Sequence, residues 1–196
     1  MKTILILTFF GLFAHAKNSA EVNKCHTVTP MQDFVSSKFF SGKWYTTHVT
    51  NGLFTFVCQD LETTKDGEEN FIDYSYQKNK KEYNVRCESK EQGKNKPIPF
   101  SCNLNTPGFL SLFSKATKFN ATYTFMTADY DNYALLYKCV TLESGEKTGN
   151  YMLLSRAKND QSIPGAAKSL LDINRESLKK CSDLINADAA MKSEVV

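Results

Sequence analysis

Between Trp44 and Arg156 the chain is a succession of short runs rich in Thr, Tyr, Phe and Val, separated by turn clusters. Runs of this kind predict an antiparallel, all-β domain. The candidate strands are Lys43–Thr50, Phe54–Leu61, Phe71–Gln77, Glu82–Ser89, Ile98–Leu104, Phe109–Ser114, Phe119–Ala128, Tyr133–Leu142 and Tyr151–Arg156. That is one more than an eight-stranded barrel requires, the Ile98 and Phe109 segments being the ambiguous ones. Turns at Lys65-Asp66-Gly67, Gln77 to Lys80, Asp129 to Asn132 and Ser144-Gly145 are short enough for neighbours to pair directly. An up-and-down meander follows, and closing it into a barrel over about residues 42–157 removes the exposed edges.

The only tryptophan, Trp44, opens this series in the string Phe39-Phe40-Ser41-Gly42-Lys43-Trp44-Tyr45. The glycine permits a tight turn into the first strand, and an indole on its inner face can plug a barrel floor. After the last strand the period changes. Ile163, Ala167, Leu170, Leu171, Leu178, Cys181 and Ile185 recur at helical spacing, which predicts one amphipathic helix over about 163–187 packed outside the barrel. Pro164 falls in its first turn, and Ser162 is available as a cap. The polar stretch Lys90 to Lys96 reads as a solvated loop.

Met1 to Ala16 has a basic residue, an apolar run from Ile4 to Phe13 and the small-residue pattern Ala14-His15-Ala16, as a cleaved secretory signal does. Residues 17–196 are then expected to form a single secreted, extracellular domain, with no stretch long enough to span a membrane. The net charge of +3, about +2 once Lys2 has left, argues against a nucleic-acid binder. Six cysteines follow the signal: Cys25, Cys58, Cys87, Cys102, Cys139 and Cys181. An even number in an oxidising compartment predicts disulfides, and spacing alone does not choose among fifteen pairings. Asn120-Ala121-Thr122 is a glycosylation sequon, which would place Asn120 facing solvent.

Little here suits an enzyme. His26 and His48 are the histidines that remain after the signal, no nucleophile elbow, zinc or nucleotide fingerprint occurs, and the carboxylates are scattered. Strand alternation instead sketches a cup. With Trp44 inward, Thr46 and His48 share its face while Tyr45, Thr47 and Val49 do not. An outward Asn120 turns Ala121, Tyr123 and Phe125 inward, and an outward Cys139 does the same for Ala134, Leu136 and Lys138. The resulting wall is apolar with a few polar groups, as small-ligand sites are. Lys138 reads as a rim lysine reaching water, and His48 as a hydrogen-bonded interior or rim residue.

Three strings carry a wider resemblance: Cys25-His26-Thr27-Val28-Thr29-Pro30-Met31, Lys38-Phe39-Phe40-Ser41-Gly42-Lys43-Trp44-Tyr45-Thr46-Thr47-His48 and Tyr130-Asp131-Asn132-Tyr133-Ala134-Leu135. With the cysteine framework they make the chain resemble the salivary lipocalins of blood-feeding bugs, of the triabin and pallidipin kind, with nitrophorins more distant. The resemblance implies a lipocalin barrel with Arg156 packed across Trp44. It also implies disulfides Cys25–Cys139 and Cys58–Cys181, which leaves Cys87 with Cys102. Ser75, in Tyr74-Ser75-Tyr76-Gln77, stands where nitrophorins carry a haem-ligating histidine, so no cofactor is expected.

The implied activity is interference with host haemostasis, reached in one of two ways. In the first, the barrel sequesters a small apolar or amphipathic agonist (an eicosanoid such as thromboxane, a biogenic amine or a nucleotide) and so inhibits platelet aggregation. Trp44, Thr46, Tyr123, Phe125 and Leu136 would then line the cup, Lys138 or His48 would meet a carboxylate, and Asp73, on the alternation of Ser75, would meet an amine. In the second, the surface binds a host coagulation or contact-phase protein, inhibiting thrombin or factor XII/kallikrein–kinin activation. Phe109, Leu110, Leu112 and Phe113 would anchor that interface.

Overall fold

The computed structural model describes residues 25–50, 58–78, 81–105 and 117–193. The expected leader, the Phe109–Ser114 run with its four apolar residues, and half of the Phe54–Leu61 run lie outside the described residues. Eight strands build the barrel: β1 (Ser41–Val49), β2 (Asp60–Asp66), β3 (Glu69–Lys78), β4 (Lys81–Ser89), β5 (Ile98–Asn105), β6 (Thr117–Asp129), β7 (Tyr133–Thr141) and β8 (Lys147–Ser155). Each pairs antiparallel with the next, and β1 closes the ring by pairing with both β8 and β2.

Two strands differ in extent from expectation. Through β2, Leu61 and Thr63 are buried while Asp60, Glu62 and Thr64 are exposed. The outer charges disguise a strand that runs on to a tight turn at Gly67-Glu68, where φ of Gly67 is +57° and Asp66 pairs with Glu69. Strand β8 starts at Lys147, four residues before the apolar run from Tyr151, because its mouth end is polar.

The short helix α1 (Ser36–Phe39) and the chain around it plug one end of the barrel. Phe39 stacks on Trp44 at 5.1 Å, Phe34 stacks on Phe125 at 4.1 Å, and Phe40 meets Phe39 edge-on at 5.0 Å. The indole N–H donates to the Phe39 carbonyl at 3.0 Å, so burying Trp44 leaves no unpaired donor. Arg156 covers this plug from outside, its guanidinium 3.6 Å from the Trp44 ring centroid. The stretch Lys90 to Lys96 is more than a solvated loop. Asn70 donates to the Glu91 carbonyl, Gln92 donates to the Glu68 carbonyl and accepts from Ser36 and Lys65, and Gly93 is buried against Ile98 and Phe34.

The three disulfides are Cys25–Cys139, Cys58–Cys181 and Cys87–Cys102. The last joins directly opposed residues of β4 and β5 inside the barrel wall. A second apolar layer lies outside, where Val28, Met126, Leu135, Leu153, Ala167 and Leu171 pack together.

The C-terminal segment is two helices rather than one. Helix α2 (Gly165–Ile173) buries Ala167 and Leu171, with Pro164 as its N-cap and Ser162 bonded instead to Asp160. It stops where the Asn174 side chain turns back to donate to the Leu170 carbonyl and Arg175 adopts φ +56°. The two-residue strand β9 (Lys179–Lys180) then pairs with His48 and Val49, and α3 (Cys181–Ser193) follows. The tether at Cys181 and the pairing of β9 make the helical period unsustainable there, and Ile163, Ile173 and Ile185 are left exposed. Among the described residues no helix is long and apolar enough to cross a membrane.

Candidate functional site

At the end of the barrel opposite the plug the described residues line a cavity of 510 Å³, within the range of small-molecule sites. Its wall is set by strand alternation. Leu61, Val85, Leu104, Phe119, Val140 and Met152 supply the apolar lining, Tyr74 and Tyr76 come from β3, and Gln59 and Asn150 stand near the mouth. Leu142, Glu143, Ser144 and Thr148 form part of the rim.

Lys138 reaches into this cavity, half-buried. It is not a rim lysine. Its ammonium lies 4.7 Å from the Tyr74 ring centroid and 5.4 Å from that of Tyr123, and donates to the Tyr74 hydroxyl at 3.3 Å. Two aromatic faces replace part of its hydration. Among the described residues no carboxylate pairs with it. Below it Tyr123 is fully buried, and among the described residues its hydroxyl has no hydrogen-bond partner of good geometry. Burial pushes the Tyr123 hydroxyl above the usual tyrosine range, against the pull of the Lys138 charge. Burial does the same to Tyr74, so both phenols keep their protons at physiological pH.

The remaining expected site residues fall in two groups. Trp44, Phe125 and Leu136 belong to the sealed core beneath the cavity, as do Ala121 and Ala134, all facing inward as alternation required. Thr46 is also inward and buried, with its hydroxyl donating to the Gln59 carbonyl at 2.6 Å. His48, Asp73 and Ser75 lie outside the barrel wall, which corrects three expectations.

For His48 the cause is a bulge. The register shifts so that Thr46 opposes Leu154 while His48 opposes Leu153. Leu154 belongs to the inner core and Leu153 to the outer layer, so His48 faces out, and Val49, opposite Met152, turns in. His48 is sealed at 1% exposure, and its Nδ1 lies 3.0 Å from the Thr47 hydroxyl.

For β3 the phase is the reverse of that assumed. Ile72, Tyr74 and Tyr76 pack against the interior, while Ser75 is exposed. Asp73 forms an ion pair with Arg86 at 3.2 Å on the outer face, next to the Arg86–Phe71 stack. The alternation of Ile72, Tyr74 and Tyr76 against Asp73 and Ser75 is the signal that marks the inner face. Neither an amine-pairing Asp73 nor an iron-ligating residue at position 75 is available to the cavity. Asn120 is exposed on the outer face of β6, where its sequon requires it.

Comparison with known proteins places this geometry. Procalin of Hospesneotomae protracta is 32% identical over 186 residues, covering 92% of this chain and 99% of procalin. The crystal structure of a point mutant of LTBP1 in complex with leukotriene C4 is 25% identical, covers 77% of this chain and 88% of that one, and superposes with a TM-score of 0.58. The amine-binding protein of Rhodnius prolixus, solved with tryptamine, shares the fold at 19% identity and a TM-score of 0.65, covering 83% and 88% of the two chains. The Triabin family model matches residues 14–170, and the chain, with its closed eight-stranded lipocalin barrel, belongs to the Triabin family.

Proposed function

We propose that this protein is a secreted lipocalin that sequesters a small amphipathic agonist of the eicosanoid class in its barrel, and thereby inhibits platelet aggregation and impairs host haemostasis. The observation that carries this reading is the largely apolar 510 Å³ cavity, with a lysine inside it that no described carboxylate neutralises. An apolar wall favours a hydrocarbon chain or ring, and an uncompensated ammonium favours an anionic ligand. The likeness to a structure that holds leukotriene C4 supports the same class. Amines fit less well, since Asp73 is spent on Arg86 outside the wall.

Titration calorimetry of the purified protein with a thromboxane analogue, a leukotriene, serotonin and ADP tests the reading. Micromolar or tighter binding of the first two, at one per chain, is expected. The competing reading, a surface that binds thrombin or contact-phase proteins, rests on Phe109 to Phe113, outside the described residues. It gains if none of the four ligands binds while clotting time is prolonged.

A further inference from the structure

Gln59, Glu143, Ser144, Thr148 and Asn150 line the cavity too, but around the Lys138 ammonium the polar groups are donors. Lys138 donates to the Tyr74 oxygen and keeps further N–H groups. Tyr74 accepts that bond, which leaves its own O–H without an acceptor among the described residues. Tyr123, fully buried beneath the cavity lining next to Lys138, has a hydroxyl with no hydrogen-bond partner of good geometry among the described residues. A buried hydroxyl left unpaired is destabilising, and three donors around one point suit an incoming oxygen that carries negative charge. A protonated amine at that point would meet a cation.

Depth adds a direction. Tyr123 opposes Lys138 across the β6–β7 ladder, one layer above the sealed floor of Phe100, Phe40 and Phe125. Between this station and the rim, Leu104, Phe119 and Val140 make the β5–β7 wall apolar, with Lys118 joining the lining on the same side. Resting on the sequestration reading above, the geometry points to a carboxylate-bearing lipid held head-down. Its acid oxygen is bound by Lys138, Tyr74 and Tyr123 at the bottom of the cavity, and its hydrocarbon chain leads out through the mouth. The site therefore discriminates at the acid end and tolerates bulk at the far end of the chain.

The test uses the full secreted chain with arachidonic acid, its methyl ester, and a fatty acid carrying a fluorophore at its terminal methyl end. For the wild type the acid binds at least tenfold tighter than the ester, and the end-labelled acid binds about as well as the unlabelled one. Lys138→Met, matched in length and apolar, loses about tenfold to a hundredfold for the acid and little for the ester. Tyr123→Phe loses a smaller factor for the acid alone. Equal binding of acid and ester by the wild type overturns the head-down station even if a variant misfolds. So does undiminished acid binding by a folded Lys138→Met, or exclusion of the end-labelled acid. In each of those outcomes a ligand still binds and sequestration stands. Failure of every lipid and of the thromboxane analogue removes the sequestration reading itself.

Discussion

Arg156 lies across the face of Trp44 at 3.6 Å while donating to three backbone carbonyls, those of Tyr130 at 3.1 Å, Lys43 at 2.8 Å and Lys38 at 3.4 Å. One guanidinium thus joins the β6–β7 turn, the start of β1 and α1 over the indole that closes the barrel. Arg156→Ala should lower stability by about 2–4 kcal/mol, the sum of a cation–π contact and charge-assisted hydrogen bonds. Arg156→Lys should recover less than half of this, since a point charge cannot serve three carbonyls and stack at once. Urea melts followed by Trp44 fluorescence measure both.

Gly149 is the second position where a close approach decides, here by the tip of the Tyr137 ring. A Cβ placed there would collide with the Tyr137 hydroxyl, which accepts the His26 N–H at 2.8 Å beside the Cys25–Cys139 tether. Gly149→Ala is expected to cost about 1–3 kcal/mol through overpacking. Adding Tyr137→Phe should recover part of that loss. A double variant no more stable than Gly149→Ala alone would place the decisive collision at the ring carbon Cζ, 2.6 Å from the added Cβ, rather than at the hydroxyl.

His48 makes stability depend on pH. Burial and the charge of Lys180 hold its pKa below the usual histidine range, while Asp160 and Asp183 pull the other way. The unfolded chain therefore binds this proton first, so the contribution is fully present above about pH 6.5 and declines as pH falls from there through the lowered folded value. Asp160, held below the usual carboxylate range by hydrogen bonds from Ser162, adds a separate loss at more acidic pH. Thermal melts should show the wild-type Tm falling between about pH 7 and 5.5, and a flatter slope over that interval for His48→Gln. Parallel slopes for the two proteins would exclude His48 as the source.

Cys58–Cys181 spans 123 residues, for which the chain-entropy estimate is about 5 kcal/mol before any strain. The double variant Cys58→Ala/Cys181→Ala should lose a large part of this. Its first symptom should be selective: rapid amide exchange and proteolysis in α3, with β3 to β6 still protected. Uniform loss of protection would mean that the tether holds the whole barrel rather than one segment.

What can be read without coordinates is whatever strand periodicity and composition express directly. The barrel, its floor around Trp44 and the inward set Ala121, Tyr123, Phe125, Leu136 and Lys138 follow from period-two alternation, the set lying in the stretch of the β6–β7 ladder that precedes its register shift at Phe125/Thr127. Alternation fails at Thr47-His48, because a bulge inserts a residue without any composition signal, and both residues carry side chains that tolerate either face. On β3 the comparison made at Ser75 outweighs a plain Ile-x-Tyr-x-Tyr pattern and gives the wrong phase. The site itself is only partly legible. Tyr74 and Tyr76 are missed for that reason, and Asn150 because the polar half of β8 does not look like a strand. The break between α2 and α3 depends on a disulfide and two ladder residues far away in sequence, which helical spacing cannot report.

The pairing of Lys179 and Lys180 with His48 and Val49 closes more than a gap in the ring. Where β2 diverges from β1, the backbone of those last residues of β1 would otherwise present free amide and carbonyl groups to solvent. A ladder edge of that kind recruits strands from other molecules, and two exposed lysines are among the least welcoming residues to place there. A chain cut before Lys179 would lose this guard together with the Cys58–Cys181 tether, so the fair comparison is with the full chain carrying Cys58→Ala/Cys181→Ala. Beyond the loss the two share, a cut Cys58→Ala chain should show extra self-association on storage rather than weakened binding.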